Sequence, residues 1–506
     1  MIALKGQNVL ILGLGVSGLA MARWCSRCGA QVSVADTRPS PPQLDALRCD
    51  LPQATFVCSE LDASLVEGRV FNAVFKSPGL SPVMLAAFVE SFEKGSAKVS
   101  GELELFSTAL ADLKILQGYT PTVLAITGTN GKTTVTSLTG QLIARAKKTV
   151  AVAGNIGPTL LDTLAARLDA GDLPEVWVIE LSSFQLEGVQ GFEPSAATVL
   201  NITQDHLDWH GSLPAYIAAK ARVFGRHAKM LLNRSDPLVL AMLPLTTQQG
   251  RAKDRSMRAY ETFGSDMPTR PGDFGLEEVG GMVWLVRALQ ADATHRKRCE
   301  AAEDLFVQRL LPMDALRIRG RHNAVNALAA LSLASSAGCN LAPLLFGLRE
   351  YEGEPHRVES VALINGIEFF DDSKGTNVGA TVAALAGLGS DRKVVVILGG
   401  EGKGQDFSPL APPVSRFAKA VVLIGRDGGL IRTALSSSGV PMLNAHTMHE
   451  AVTLAYQNAG AGDAVLMSPA CASFDMFDNY PHRAAVFREA VAAISLKVDA
   501  DAVAVS

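Results

Sequence analysis

The 506-residue sequence contains no uninterrupted apolar run near the ~18 residues that a membrane-spanning helix needs. Its opening, MIALKGQNVLILGLG, lacks the basic start, apolar core and small-residue cleavage site of a secretory leader. An excess of one charge is missing too: 46 Lys and Arg stand against 50 Asp and Glu, a formal net charge of -4. That balance gives no general attraction to nucleic acid or an anionic membrane, so a small molecule is the expected partner. Cysteines are few, odd in number and scattered: Cys25, Cys28, Cys49, Cys58, Cys299, Cys339 and Cys471. Such usage argues against a disulfide framework and for a reducing compartment, so a cytoplasmic location is expected. Cys25 and Cys28 form a C-x-x-C, but no second one completes a zinc site; on a helix they read as two small buried residues. No short tandem repeat is visible.

What is present is an ordinary supply of core, 48% hydrophobic and 19% charged residues. The length suggests about three domains, and each third of the chain shows an α/β pattern. NVLILGLGVSG, LAMARWCSRCGA and QVSVAD read as strand, glycine turn, helix and strand, the start of a doubly wound sheet. FNAVFKSPG is a further strand with a turn at its carboxyl end. A second unit begins at TVLAITGTNGKTT and continues through the buried strands EVWVIELSS and AATVLNITQDH. From 245 to 312 the pattern weakens, and surface insertions around a short hairpin, GGMVWLVRA, are expected. HNAVNALAALSLASSAG is an apolar helix stopped by Gly338. A third unit starts near GEPHRVE, with strands at IEFFDDS, KVVVILGG, AVVLIGR and AVLMSPA. The expected boundaries are 1–115, 116–352 and 353–506. Three α/β units with separate strand-end loops suggest an enzyme with several substrates.

The first loop, Gly13-Leu14-Gly15-Val16-Ser17-Gly18, precedes a helix, and Asp36 ends the next strand. Glycines let the backbone approach phosphate, and the helix start supplies N–H groups. Asp36 could accept from a ribose hydroxyl, so an NAD oxidoreductase is one reading; a tight turn without a ligand is another. The second loop, Gly128-Thr129-Asn130-Gly131-Lys132-Thr133-Thr134, is a phosphate loop two residues shorter than the full Walker pattern. Its N–H groups can wrap phosphate, Lys132 can reach the outer phosphates and Thr133 can hold Mg²⁺. Metal ligands would lie at neighbouring strand ends: Glu180, then Asp205, His206 and Asp208. A lone histidine is more often structural, but this one lies beside a phosphate loop. Lys220, judged alone, reads as a solvated lysine. Asp371, Asp372, Ser373, Lys374 and Thr376 follow one strand of the third unit; Ser468, Ser473 and Tyr480 follow another. They suit an anionic small substrate or, more simply, helix capping. Gly399 to Phe407, GGEGKGQDF, adds a glycine-rich turn with Glu401 and Lys403.

Together TGTNGKTT, ELSSFQLE, NITQDHLDWHGS, GRHNAVNALAA, PHRVE and DDSKGTN resemble, in order, the Mur ligase family of ATP-dependent amide-bond ligases of peptidoglycan synthesis. The resemblance spans nearly the whole chain. It implies a Rossmann-like N-terminal domain, a central P-loop ATPase-like domain and a Rossmann-like C-terminal domain. GLGVSG, SPGLSP, DDSKGTNVGAT and LMSPACASFDMFDNY are most similar to the member that adds D-glutamate to UDP-N-acetylmuramoyl-L-alanine through an acyl phosphate. By this resemblance Gly128 to Thr134, Asn323, Asn326, Arg357 and Asp372 contact ATP. Thr133, Glu180, His206 and a carbamylated Lys220 would hold two Mg²⁺ ions, which replaces the solvated reading of Lys220. Lys132, Glu180, His206 and Lys220 would be catalytic. Gly15, Val16, Ser17, Asp36, Thr37, Arg38, Ser77, Pro78, Gly79 and Asn155 would hold the UDP substrate. Lys374, Thr376, Ser473 and Tyr480 would hold D-glutamate. A monomer is implied. Tyr480, Glu401 and Ala484 depart from the family pattern, where Phe, Asp and Gly are common. Sister ligases, folylpolyglutamate-type enzymes and a non-catalytic ATP-gated module are the rival readings.

Overall fold

The computed structural model describes residues 4–93, 98–244, 258–290, 305–390 and 392–505. Three parallel or largely parallel sheets, one in each expected unit, establish the three-part α/β architecture, and a fourth sheet of three strands adds to the middle unit. The first contains β1 (Asn8–Leu12), β2 (Gln31–Asp36), β3 (Thr55–Cys58), β4 (Ala73–Lys76) and β5 (Val99–Ser100), ordered β3-β2-β1-β4-β5 and parallel throughout. The order reverses at β1, so the glycine turn after β1 opens at a switch point, where such sheets bind ligands. Cys25 and Cys28 are both buried and unbridged at the end of helix Val16–Arg27.

The second sheet contains β6 (Thr122–Thr127), β7 (Val150–Gly154), β8 (Val176–Glu180), β9 (Ala196–Val199), β10 (Lys229–Asn233) and β11 (Tyr260–Phe263), ordered β11-β10-β9-β6-β8-β7. β6 lies between β9 and β8, which explains why its apolar run Val123 to Ile126 is buried on both faces. Helix Lys132–Arg145 follows it, and helix Arg321–Ser336 packs alongside. The small residues of the latter, Ala324, Ala327 and Ala330 among them, are fully buried. Gly338, at φ 74°, follows its end as expected.

The weak pattern from 245 to 312 conceals regular structure. Tyr260–Phe263 extends the second sheet, and β12 (Phe274–Val279), β13 (Met282–Gln290) and β14 (Leu305–Pro312) form an antiparallel sheet of three strands. The expected hairpin joins β12 to β13, but β14 was obscured by exposed apolar and charged side chains such as Phe306 and Arg309. Of the expected insertions, TTQQGRAKDRSMR and ADATHRKRCEAAED, residues 246–257 and 291–304, with Cys299, lie outside the described residues; Arg258, which ends the first, is half-buried.

The third sheet contains β15 (Glu359–Ile364), β16 (Ile367–Asp371), β17 (Val394–Gly399), β18 (Ala418–Ile424), β19 (Met442–Asn444) and β20 (Ala464–Met467), ordered β15-β16-β20-β17-β18-β19. Only β15 runs antiparallel to its neighbour. The ends of β16 and β20 lie side by side, so the loops at 372–377 and 468–473 emerge together.

Candidate functional site

A cleft of about 430 Å³ opens at the first switch point. Gly13, Gly15, Val16, Ser17, Asp36, Thr37, Arg38, Ser77, Pro78 and Gly79 line it with Leu61 and Leu80. Nine of the ten residues expected to hold the UDP substrate therefore come together. The tenth, Asn155, stands in the middle unit, where its Nδ2 donates to Glu180 Oε1 at 2.8 Å. Asp36 does not offer a free carboxylate. Oδ1 accepts from the N–H and Nε of Arg38, while Oδ2 accepts from Leu14 N–H and Arg38 Nη2. Arg38 and these N–H groups hold it down to about 2. Each oxygen already takes two hydrogen bonds, so the ribose acceptor on which the NAD reading depends is occupied; Asp36 instead aims Arg38 at the cleft.

The phosphate loop is shaped by two glycines that no other residue could replace without strain. Gly128 has φ 157°, and a Cβ there would stand 2.9 Å from Leu200 Cβ. Gly131 has φ 81°, and a Cβ there would meet Asn326 Oδ1 at 2.8 Å. Between them Asn130 N–H donates to Asn201 Oδ1 and Asn201 Nδ2 returns a bond to Asn130 carbonyl. Thr129 Oγ1 pairs with Tyr216 hydroxyl at 3.0 Å. Lys132 Nζ folds back on the carbonyls of Gly128 and Thr129, 2.9 Å from each.

Lys220 is fully buried, not solvated. Its Nζ donates to the Gly128 carbonyl at 2.8 Å and to Thr127 Oγ1, and lies 4.8 Å from the Tyr216 ring centroid. Burial, with Lys132 nearby, lowers its pKa well below the ordinary lysine value. Glu180 is also buried, and its Oε2 has no hydrogen-bond partner. An orphaned carboxylate oxygen is costly in a protein interior, and a divalent cation would satisfy it. His206 holds φ 53°, with its ring against Phe184; burial lowers its pKa against the pull of Asp205. Glu180, His206 and Lys220 all lie within electrostatic reach of Lys132. Thr133 Oγ1 accepts from Arg357 Nη2 at 2.7 Å. The orphaned Glu180 Oε2 is the observation that fits Mg²⁺; Thr133 Oγ1 is engaged by Arg357, and Lys220 offers an amine rather than an oxygen.

A second cleft, of about 450 Å³, lies where the middle and third units face each other. Asn130, Gly131, Thr134, Asn323, Asn326, Arg357 and Asp372 line it, so expected ATP contacts from distant segments converge, together with Lys374, which was expected to hold D-glutamate. Burial pushes Asp372 up to about 7 despite its bond from Ser468 Oγ. Burial, with Arg357 beside it, brings Lys374 down to about 8, and its Nζ lies 5.4 Å from the Tyr480 ring centroid. Ser473 is buried beside the same loops, and Thr376 N–H donates to Lys374 carbonyl. Several lining or bracing groups carried no assigned role at the sequence level. Asn201, Tyr216 and Asn377 brace the phosphate loop, while Phe263, Ser265, Arg321 and His322 line the cleft. The signal for Asn201 was its place at the end of a buried strand. Lys403, in the glycine-rich turn, lies close enough to His206 to lower its pKa further.

Fold and site together define a three-domain α/β enzyme whose glycine-rich loop opens onto a cleft lined by the middle and third units. Family models agree: "Mur ligase MurD-like, N-terminal domain" matches residues 7–97, "Mur ligase middle domain" 126–263, and "Mur ligase, glutamate ligase domain" 356–471. The UDP-N-acetylmuramoylalanine–D-glutamate ligase of Albidiferax ferrireducens is 68% identical over 489 residues, covering 97% of this chain and 96% of the relative. The ligase of that name from Ralstonia nicotianae is 55% identical, covering 97% and 98%. Among solved structures, UDP-N-acetylmuramate-alanine ligase from Thermotoga maritima superposes with a TM-score of 0.53 at 19% identity, covering 96% of this chain and 99% of that one. The chain belongs to the Mur ligase family.

Proposed function

We propose that this chain joins D-glutamate to UDP-N-acetylmuramoyl-L-alanine at the expense of ATP, through an acyl phosphate, in cytoplasmic peptidoglycan precursor synthesis. The names of the highly identical relatives support the substrates. The observation that carries the chemistry is the phosphate loop opening onto a cleft that Arg357 of the third domain reaches across to Thr133. We place the domain limits at 1–115, 116–352 and 353–506, a division supported by one largely parallel sheet in each part.

The reaction needs a poor acyl donor made reactive and an amine brought to it. The first cleft, with Arg38 held at its rim, anchors the UDP end, so the muramoyl-alanine carboxylate can extend toward Asn155 and Glu180. The N–H groups of Gly128 to Thr134 and the Lys132 ammonium hold the triphosphate; Asn323, Asn326, Arg357 and Asp372 line its cleft. Mg²⁺ would be held by Thr133, Glu180, His206 and a carbamylated Lys220, and supplies charge neutralisation between phosphates when bound; two ions are proposed. The low pKa of Lys220 favours the neutral amine that can add to carbon dioxide, releasing a proton and forming the anionic carbamate. The γ-phosphoryl group passes to the carboxylate and ADP leaves. Lys374, Thr376, Ser473 and Tyr480 hold D-glutamate so that its amine attacks the acyl carbon, and phosphate departs. The enzyme acts as a monomer.

One assay tests the reading: ADP release with UDP-N-acetylmuramoyl-L-alanine, comparing D-glutamate with L-glutamate, L-alanine, L-lysine and diaminopimelate. D-glutamate alone should support turnover. Preference for another amino acid reassigns the chain to a sister ligase, and nicotinamide-dependent turnover would revive the oxidoreductase. ATP binding without amide formation would leave only a binding module. Sedimentation checks the monomer.

A further inference from the structure

Arg357 sits in a backbone turn that its own sequence disfavours. His356 has φ 63° and Val358 φ 51°, so non-glycine residues on both sides of Arg357 occupy the left-handed region, one of them β-branched. Such a turn persists only where surrounding contacts over-determine it. Here the contacts converge on Asp371, which is fully buried at the end of β16. Its Oδ2 lies 2.7 Å from His356 Nδ1. Its Oδ1 accepts from the N–H and hydroxyl of Ser373, at 2.9 and 2.5 Å. Lys374 N–H in turn donates to the His356 carbonyl. Ser373 carbonyl accepts from the buried Arg483, whose other amino group donates to the Cys471 carbonyl in the loop leading to Ser473. The carboxylates of Asp371 and Glu359 with His356 form a trio of metal-type ligands, but Arg488 pairs with both carboxylates, so a guanidinium already supplies the cation.

We propose that Asp371 is a positioning residue that locks the turn presenting Arg357 to the phosphate loop and the loop presenting Lys374 into one register. It touches neither proposed substrate. Through it, the nucleotide and amino-acid sites of the third domain are set by a single buried carboxylate, so both loosen together when it is lost. The inference rests on the ligase reading above.

The test compares Asp371→Ala and Asp371→Asn with the native enzyme. In Asp371→Ala the KM values for ATP and for D-glutamate should both rise about tenfold, while affinity for UDP-N-acetylmuramoyl-L-alanine stays native. Asp371→Asn should bring both KM values back to within about threefold. Its amide oxygen can accept from Ser373 N–H while its NH₂ donates to the other tautomer of His356. A folded alanine variant with native KM values, or with only one raised, overturns the proposal. If that variant fails to fold, the ¹⁵N shifts of His356 decide: Nδ1 should carry the proton in the native protein and lose it in Asp371→Asn. An unchanged tautomer overturns the proposal. A native enzyme that releases no ADP sinks the ligase reading instead, and thereby stays distinguishable.

Discussion

Glu102 shows how much a single buried side chain can report. It lies at the start of helix Glu102–Gln117, where it accepts from Leu161 N–H at 3.1 Å and bonds the Ser17 side chain. It thus ties the first cleft to the helix that follows the Asn155 loop. Burial pushes it from 4.5 up to about 7. Between those values the folded chain holds more protons than the unfolded one, so this group's contribution makes stability fall as pH rises through the window. Glu102→Gln should therefore melt higher than the native protein at pH 8 and close to it at pH 5, with a difference on the order of 3 kcal/mol. Calorimetry at the two values checks this; equal changes at both would contradict the buried charge. Lys132 gives the second test at this scale. Lys132→Ala should lower kcat by about 10³-fold while first-cleft binding of the UDP substrate stays native. Titration of the substrate alongside turnover separates the two.

Among the elements, the phosphate loop was legible because its chemistry is local. A strand, two glycines, a lysine and a helix start are contiguous from 122 to 134, and the N–H groups they present depend on little else. The glycine turn after β1 is similar. Gly18 has a packing role there: a Cβ would stand 2.1 Å from the Gly13 carbonyl oxygen. Gly18→Ala should push the helix off the turn and raise KM for the UDP substrate about tenfold, with KM for ATP unchanged. Steady-state kinetics with each substrate varied separately reads the difference. β11 was not legible because it is only four residues long, and β14, though eight residues long, because its side chains are mostly half-buried or exposed and show little alternation; both are defined by the partners they pair with. Lys220 failed for the opposite reason: on a helix, one lysine looks solvated until the tertiary neighbours are known.

For the whole molecule, the arrangement of the second and third domains matters most. Asn130 and Asn377 exchange side-chain hydrogen bonds across this junction, at 3.2 and 3.0 Å, and Asn377 also caps helix Val378–Gly389. Asn377→Asp should keep the cap while losing the donor to Asn130 and placing a charge near Asp205. The expected outcome is a several-fold higher KM for ATP and faster proteolysis between the domains, with each domain's fold intact. Unchanged kinetics and proteolysis would show that the junction does not depend on this pair.

The sequence by itself determined the three α/β units, both glycine-lined loops and the residue types able to hold phosphate and acid, because backbone curvature and N–H direction depend on near neighbours. Only the tertiary structure decided that Asp36 serves Arg38, that Lys220 is buried under the phosphate loop, and that Asp371 joins two loops. Arg38 is only two residues from Asp36, but Leu14 N–H, which also holds that carboxylate, is 22 away; Lys220 depends on desolvation and on Thr127 and Gly128 more than 90 residues away, and Asp371 on His356 15 residues away. The energy of a charged side chain is set by such surroundings rather than by its place along the chain.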